Sequence, residues 1–298
     1  MNLKNNRTIG FTITRVLISL ILIKDFLLYF IYAPELLGKN GIVPLFTYAQ
    51  ILDGLGLAYL FVDFSDAVVM YTFLAFGLLA SVSFLVGYRV KLSGLIIFFC
   101  LITIKLRAVF TQDGADNVVG TMIPFLLLVT SYNLWNGKLT NNFKKPALQI
   151  IPVLAALGVI IEFCLIYFVA GLSKAVQPIW QNGEAMYYIL RIEDFRASNL
   201  NVWLTQSAFF IKTTTWFTLF WELTFPFVIW FKKFRNIYLL AGIALHIGIW
   251  VLMRIDNFSF VMLSIYPVFF YDYEYKKVYK YFSKKWAVLT QKPSFTKL

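Results

Sequence analysis

From Phe11 to Tyr271 the chain is a succession of long apolar runs separated by short polar connections. The runs are continuous and do not alternate residue by residue, which favours helices over the strands of a barrel. A helix needs about 20 mostly apolar residues to cross roughly 30 Å of hydrocarbon, where every backbone polar group must be satisfied within the segment. Spans are expected near Phe11 to Ile31, Ala67 to Val86, Leu92 to Phe110, Val118 to Trp135, Leu148 to Leu172, Ala208 to Phe231, Ile237 to Met253 and Phe258 to Tyr271. The pattern predicts an all-α, polytopic integral membrane bundle of about eight transmembrane helices. Lys4 and Arg7 precede the first run, as in a secretory signal. That run is long, contains Lys24 and Asp25 and lacks a small-residue cleavage pattern, so it is expected to remain as a helix.

Composition agrees. Of 298 residues 60% are apolar and 14% charged, outside the range of water-soluble domains. The net charge of +12, from 27 basic and 15 acidic residues, is distributed by side. With eight crossings, Lys4, Arg7, Arg89, Lys91, Lys138, Lys144, Lys145, Lys232, Lys233, Arg235 and the lysines of the tail, through Lys292 and Lys297, share one face. The opposite loops hold most of the acids. Basic loops mark the cytoplasmic side, so both termini are expected there. Charge of this kind reports topology and contact with anionic lipid, and it excludes nucleic acid as the expected partner. Residues 1–273 read as one membrane domain and 274–298 as a basic cytoplasmic tail.

Two outer loops, Tyr32 to Asp66 and Ser173 to Ser207, are rich in aromatic residues and are expected to contain short helices covering the bundle. Cys100 and Cys164 fall within spans and read as apolar filler without a disulfide. Chemistry must therefore come from ionisable groups inside the runs, which cost several kcal/mol in lipid unless they face a cavity or each other. Arg15, Lys105, Arg107 and Lys212 lie close enough to span ends to snorkel. Asp25, Glu162, Glu222 and His246 do not. His246 is the only histidine, and with no second His or Cys cluster a metal site is not expected. Lys174 follows Ala170-Gly171 at the outer end of the fifth span and precedes Pro178 and Trp180. It reads either as an amine in a desolvated pocket, able to act as a base, or as an interfacial lysine touching headgroups.

Several short segments, in order, carry a family resemblance. They are Thr14-Arg15 through Asp25, Gly87-Tyr88-Arg89, Asp116-Asn117, Ala170-Gly171-Leu172-Ser173-Lys174 with Trp180, Gly183 and Met186, then His246, then Phe258-Ser259-Phe260-Val261-Met262-Leu263. Together they resemble the horizontally transferred transmembrane domain, HTTM, the membrane domain shared with vitamin K-dependent gamma-carboxylase. The resemblance implies a bacterial-type cytoplasmic (inner) membrane protein with an outward-facing site and with reduced quinone, vitamin K-like, as cofactor or substrate. It makes Lys174 the base, groups His246 and Asp116 with it as catalytic, and gives Arg15, Asp25, Asn117 and Trp180 supporting or binding roles, to which Arg107 and Glu222 are added as charged groups within apolar runs.

Departures from the carboxylases are as informative. Their large soluble substrate-holding domain is expected to be absent, Ser173 stands where they often have a second lysine, and Asp116 aligns with a histidine. These differences point away from carboxylation of peptide glutamates. Three classes stay open: an enzyme acting on a quinone-like or lipid-soluble molecule, an accessory protein in maturation, export or immunity of a secreted peptide, and a small transporter. The second rests on a resemblance of bacterial HTTM proteins to the membrane component that matures a sporulation-delaying peptide toxin. The lack of internal repeats argues against the third.

Overall fold

The computed structural model describes residues 6–141 and 145–290. Lys4, Lys144, Lys292 and Lys297, counted in the charge pattern above, lie outside them. The described residues form helices and no strand, apart from an isolated bridge between Tyr132 and Leu139. The long helices are α1 (Thr8–Ile31), α2 (Ala67–Val86), α3 (Val90–Arg107), α4 (Gly114–Leu126), α5 (Ile150–Ala175), α6 (Ala208–Val228), α7 (Lys232–Met253), α8 (Asp256–Ile265) and α9 (Asp272–Thr290). The two loops expected to lie outside, called here the first and second outer loops for that expectation, carry short helices: Ala33–Leu36 and Leu45–Gly54 in the first, Pro178–Gln181, Ala185–Ile189 and Asn199–Leu204 in the second.

Three of these segments are long and apolar enough to cross a membrane, Ala67–Val86, Ala147–Ala175 and Lys232–Met253. Large apolar side chains point away from the protein on several helices, among them Leu79 at 66% exposure, Phe220 at 61% and Leu240 at 65%. An apolar exterior around a helical bundle is what lipid requires and water opposes. The chain is a helical membrane protein.

α1 packs on α2 and on α8, α5 on α6, and α4 joins the two groups through α3, α5 and α8. Phe163 stands at the centre, in ring contact with Tyr167, Phe225, Tyr266 and Phe269. Cys100 and Cys164 are buried thiols, as the sequence suggests.

Two expected spans differ from the structure. The fourth was expected to reach Trp135, but α4 ends at Leu126, two residues after an internal Pro124. Proline removes a backbone donor and weakens the turn that contains it. Beyond it Ser131, Asn133 and Asn141 offer side-chain bonds in place of helical ones: Asn141 Nδ2 donates to the carbonyls of Leu127 and Val129, and Asn133 Nδ2 to that of Gly87. The last expected span is α8 followed by a 3-10 turn at Tyr266–Phe269, and its 10 helical residues extend only about 15 Å.

Arg15 and Arg107 do not snorkel; they are 1% and 0% exposed. Arg15 donates from Nη1 to the carbonyls of Phe84 and Leu85 at the end of α2, and from Nη2 to that of Tyr132 at 2.6 Å. Arg107 does the same at the other end, donating to Leu37, Gly38 and Val43 of the first outer loop. A guanidinium has five donors in a fixed plane, which suits it to gathering carbonyls that a helix end leaves unpaired.

Gly87 shows how tight the Arg15 junction is. It ends α2 with φ of 85°, and a Cβ there would lie 2.9 Å from both terminal nitrogens of Arg15. Gly87→Ala is expected to cost about 2 kcal/mol through its left-handed backbone and the displaced guanidinium. Gly120→Ala, inside α4 with open space around the new methyl, is expected to be neutral or stabilising by up to ~1 kcal/mol. Thermal unfolding of the two variants in detergent would check the difference, and equal melting temperatures would refute the Arg15 junction.

Candidate functional site

Tyr167, Gly171 and Lys174 recur at helical spacing and so share one face of α5, turned toward α6. Lys174 lies in the last turn of α5. α6 is offset along its own axis, so that Glu222, well past its midpoint, meets that turn. Lys174 Nζ donates to both carboxylate oxygens, at 2.9 Å to Oε1 and 2.7 Å to Oε2, with side-chain exposures of 24% for the lysine and 8% for the glutamate. Nζ also lies 5.4 Å from the ring centre of Trp180, a buried indole. An ammonium facing an indole and a carboxylate is favoured by both the ring quadrupole and the charge.

The second outer loop covers this pair. Trp216 of α6 donates to the carbonyl of Gln181, the amide of Met186 to Thr215 Oγ1, and Asn201 Nδ2 to the carbonyls of Leu190 and Leu252. These bonds fasten its short helices to α6 and to the end of α7.

Two turns inward from Lys174 is a second polar group. The hydroxyl of Tyr167 is 2.7 Å from His246 Nε2 and 3.1 Å from the hydroxyl of Tyr266. All three side chains are buried, and Trp221 and Phe225 each hold their rings 4.7 Å from that of Tyr167. His246 Nδ1 is buried without a hydrogen-bond partner. An unpaired buried ring nitrogen is costly, which marks this position as one where a further polar group would be favoured. Lys174, Glu222, Tyr167, His246 and Tyr266 thus form a column of ionisable groups inside an aromatic wall.

The other expected site residues are elsewhere. Asp116 belongs to the capping box that opens α4: its carboxylate accepts from the amide of Asp113, while Asp113 accepts from the amides of Ala115 and Asp116. Asn117 accepts from Lys105 Nζ at 2.7 Å. Asp25 pairs with Lys24 at 3.1 Å, and Lys24 also reaches Asn257. Phe258 lies between this acidic cluster and the column, its ring 5.8 Å from that of His246 and packed over Gly114. Arg15 and Arg107 serve helix and loop carbonyls. Glu162 lies five residues before Tyr167, about 140° around α5, and its Oε2 is buried without a partner. Among the described residues no group of three His, Cys, Asp or Glu side chains could hold a metal ion.

The HTTM domain matches residues 14–273, from Thr14 in the first helix to the start of α9. The chain belongs to the HTTM family. Within the curated proteins it is similar to the sporulation-delaying protein SdpB of Bacillus subtilis (strain 168), with 27% identity over 192 residues, covering 60% of this chain and 57% of the relative. The chain therefore matches a little over half the length of that relative. No solved structure matches. The HTTM segments named from the sequence fall at both layers of the column, Lys174 with Trp180 above and His246 with its neighbour Phe258 below. Tyr167 and Tyr266 are not legible as site residues in the sequence because, among 31 Phe and 17 Tyr residues, a tyrosine in an apolar run looks like core. The available signal was the seven-residue interval from Tyr167 to Lys174.

Two predictions follow from this geometry. A Cβ on Gly242 would collide with the Tyr266 hydroxyl and lie 2.6 Å from Trp221. Gly242→Ala is expected to lower stability by about 3 kcal/mol, and adding Tyr266→Phe is expected to restore part of it; no recovery in a thermal-unfolding assay would contradict the packing. Asp116 is pushed up to about 6, chiefly by burial, with Asp113 and Asp25 adding to the effect. A raised carboxyl stabilises the fold only while protonated, fully below its unfolded value and progressively less as pH rises through about 6. Asp116→Asn is therefore expected to gain stability over the wild type as pH is raised from about 4 to 7, and parallel profiles would refute this.

Proposed function

We propose that this HTTM protein crosses a bacterial cytoplasmic membrane about eight times with both termini inside, and serves the maturation of a secreted peptide from the outer side. The observation that carries the reading is the Lys174–Glu222 pair, a charged group under the second outer loop. The similarity to a sporulation-delaying protein supports the peptide as partner, and the one-sided distribution of basic residues supports the orientation. An ammonium has three donors, so beyond its two bonds to Glu222 Lys174 can offer one to a peptide carbonyl or carboxylate. Trp180 supplies an apolar surface beside it.

A second reading is chemistry on a quinone-like, lipid-soluble molecule with Lys174 as base. The aromatic wall of Tyr167, Trp221 and Phe225 beneath the pair favours it. A lysine bonded to a carboxylate is a proton donor first, so base action requires its proton to pass to Glu222 before substrate is attacked. The peptide reading needs no such step and is preferred.

Native mass spectrometry of gently purified protein, with Lys174→Ala alongside, separates the two readings. A short peptide retained by the wild type and reduced about tenfold in the variant, equivalent to ~1.4 kcal/mol, is the expected result. A retained quinone in its place would establish the second reading, and a wild type indistinguishable from the variant would overturn both.

A further inference from the structure

At the end of the bundle away from Lys174, a cavity of about 400 Å³ lies between the start of α3 and the connection that follows α4. Arg89, Lys91 and Lys138 line it together with Asn133 and Asn136, and none of its lining residues is acidic. Its floor is Gly87, behind which the buried Arg15 guanidinium sits close enough that a Cβ on the glycine would be 2.9 Å from two of its nitrogens. Three cationic residues thus line a wall that holds no carboxylate, with the Arg15 guanidinium buried behind its floor. We propose that this cavity binds the phosphate of an anionic phospholipid headgroup from the leaflet on the basic side.

The backbone is arranged for the purpose. α3 begins here, and its first residues Val90, Lys91 and Leu92 are part of the wall, so the positive end of an 18-residue helix adds to the side chains. The connection is held in shape before any ligand arrives. Asn133 accepts from the amides of Trp135 and Asn136 and donates to Gly87, the amide of Leu134 bonds to the carbonyl of Val86, and Asn136 accepts from the amide of Lys138. Arg89 adopts φ of 43°, a conformation uncommon for a side chain of its size. Its guanidinium lies 5.6 Å from the ring centre of Tyr88, at the edge of the cavity that Arg89 lines.

The rim decides between lipid and soluble phosphate. Trp135 is 89% exposed, and Tyr88, Leu92, Leu134 and Leu139 are exposed with it. Tryptophan, tyrosine and leucine beside a cationic hollow match the headgroup level of a bilayer, with the ring at the interface and the cations on the phosphate. A freely diffusing phosphate would gain nothing from them. This site lies apart from the column and does not depend on the proposed function.

The test is native mass spectrometry of the purified full chain with added phosphatidylglycerol, phosphatidylcholine or glycerol phosphate. Three proteins are compared: wild type, Arg89→Asn with Lys138→Gln, and Lys232→Gln with Lys233→Gln as a charge-matched control at the same end. Asparagine tolerates the left-handed backbone at position 89, so the first variant removes charge without new strain. The wild type and the control are expected to retain one phosphatidylglycerol at least tenfold more strongly than phosphatidylcholine, and the cavity variant to lose that preference. Asn136→Asp, which places an acid in the wall without touching Arg89, is expected to lose it as well. Equal loss in the control, no headgroup preference, or displacement of the lipid by glycerol phosphate at equal concentration would each overturn the proposal, the last by assigning the site to a soluble phosphate.

Discussion

A positive charge buried in an apolar bundle must be given fixed acceptors, and this constraint organises the structure. Arg15 gathers the carbonyls at the end of α2 and in the following connection, Arg107 those of the first outer loop, and Arg235 the carbonyl of Phe269 with the carboxylate of Glu274. In each case the cation joins a helix to a segment distant in sequence. Breaking one such contact leaves both an uncompensated charge and unpaired carbonyls, so the loss is larger than for a surface pair. Lys174 differs: its partner across the α5–α6 contact is a carboxylate and not a set of backbone carbonyls.

That difference separates architecture from candidate chemistry. Arg15 and Arg107 donate to backbone carbonyls, which do not titrate. The Lys174–Glu222 pair and the Tyr167–His246–Tyr266 group consist of side chains bonded to one another, each with an ionisable head group. The unpaired Nδ1 of His246 marks where the column is incomplete.

Much of the fold is legible in the chain. Continuous apolar runs mark the long helices, because burying or embedding an all-round apolar helix is the only stable use of such a run. Hydropathy carries the fourth span past Leu126 because it does not register Pro124 or the amide bonds of Asn133 and Asn141. Lys174, Glu222, His246 and Trp180 could be named from the residues and the HTTM resemblance. Their pairing could not, because it depends on the axial offset of α6 against α5, which one sequence does not encode in any periodicity. Arg15 and Arg107 were grouped with the site for being charged within apolar runs, and only the geometry shows that their acceptors are helix and loop carbonyls.

The central claim is that Lys174 and Glu222 act as one unit. A double-mutant cycle with Lys174→Met, Glu222→Gln and the combined variant, read by equilibrium unfolding in detergent, tests it directly. Each single change is expected to cost on the order of 3 kcal/mol by leaving its partner unmatched, and the double change to cost clearly less than their sum, with a coupling of about 2 kcal/mol. Additive effects of the two changes would show that the pair is incidental and would contradict the account.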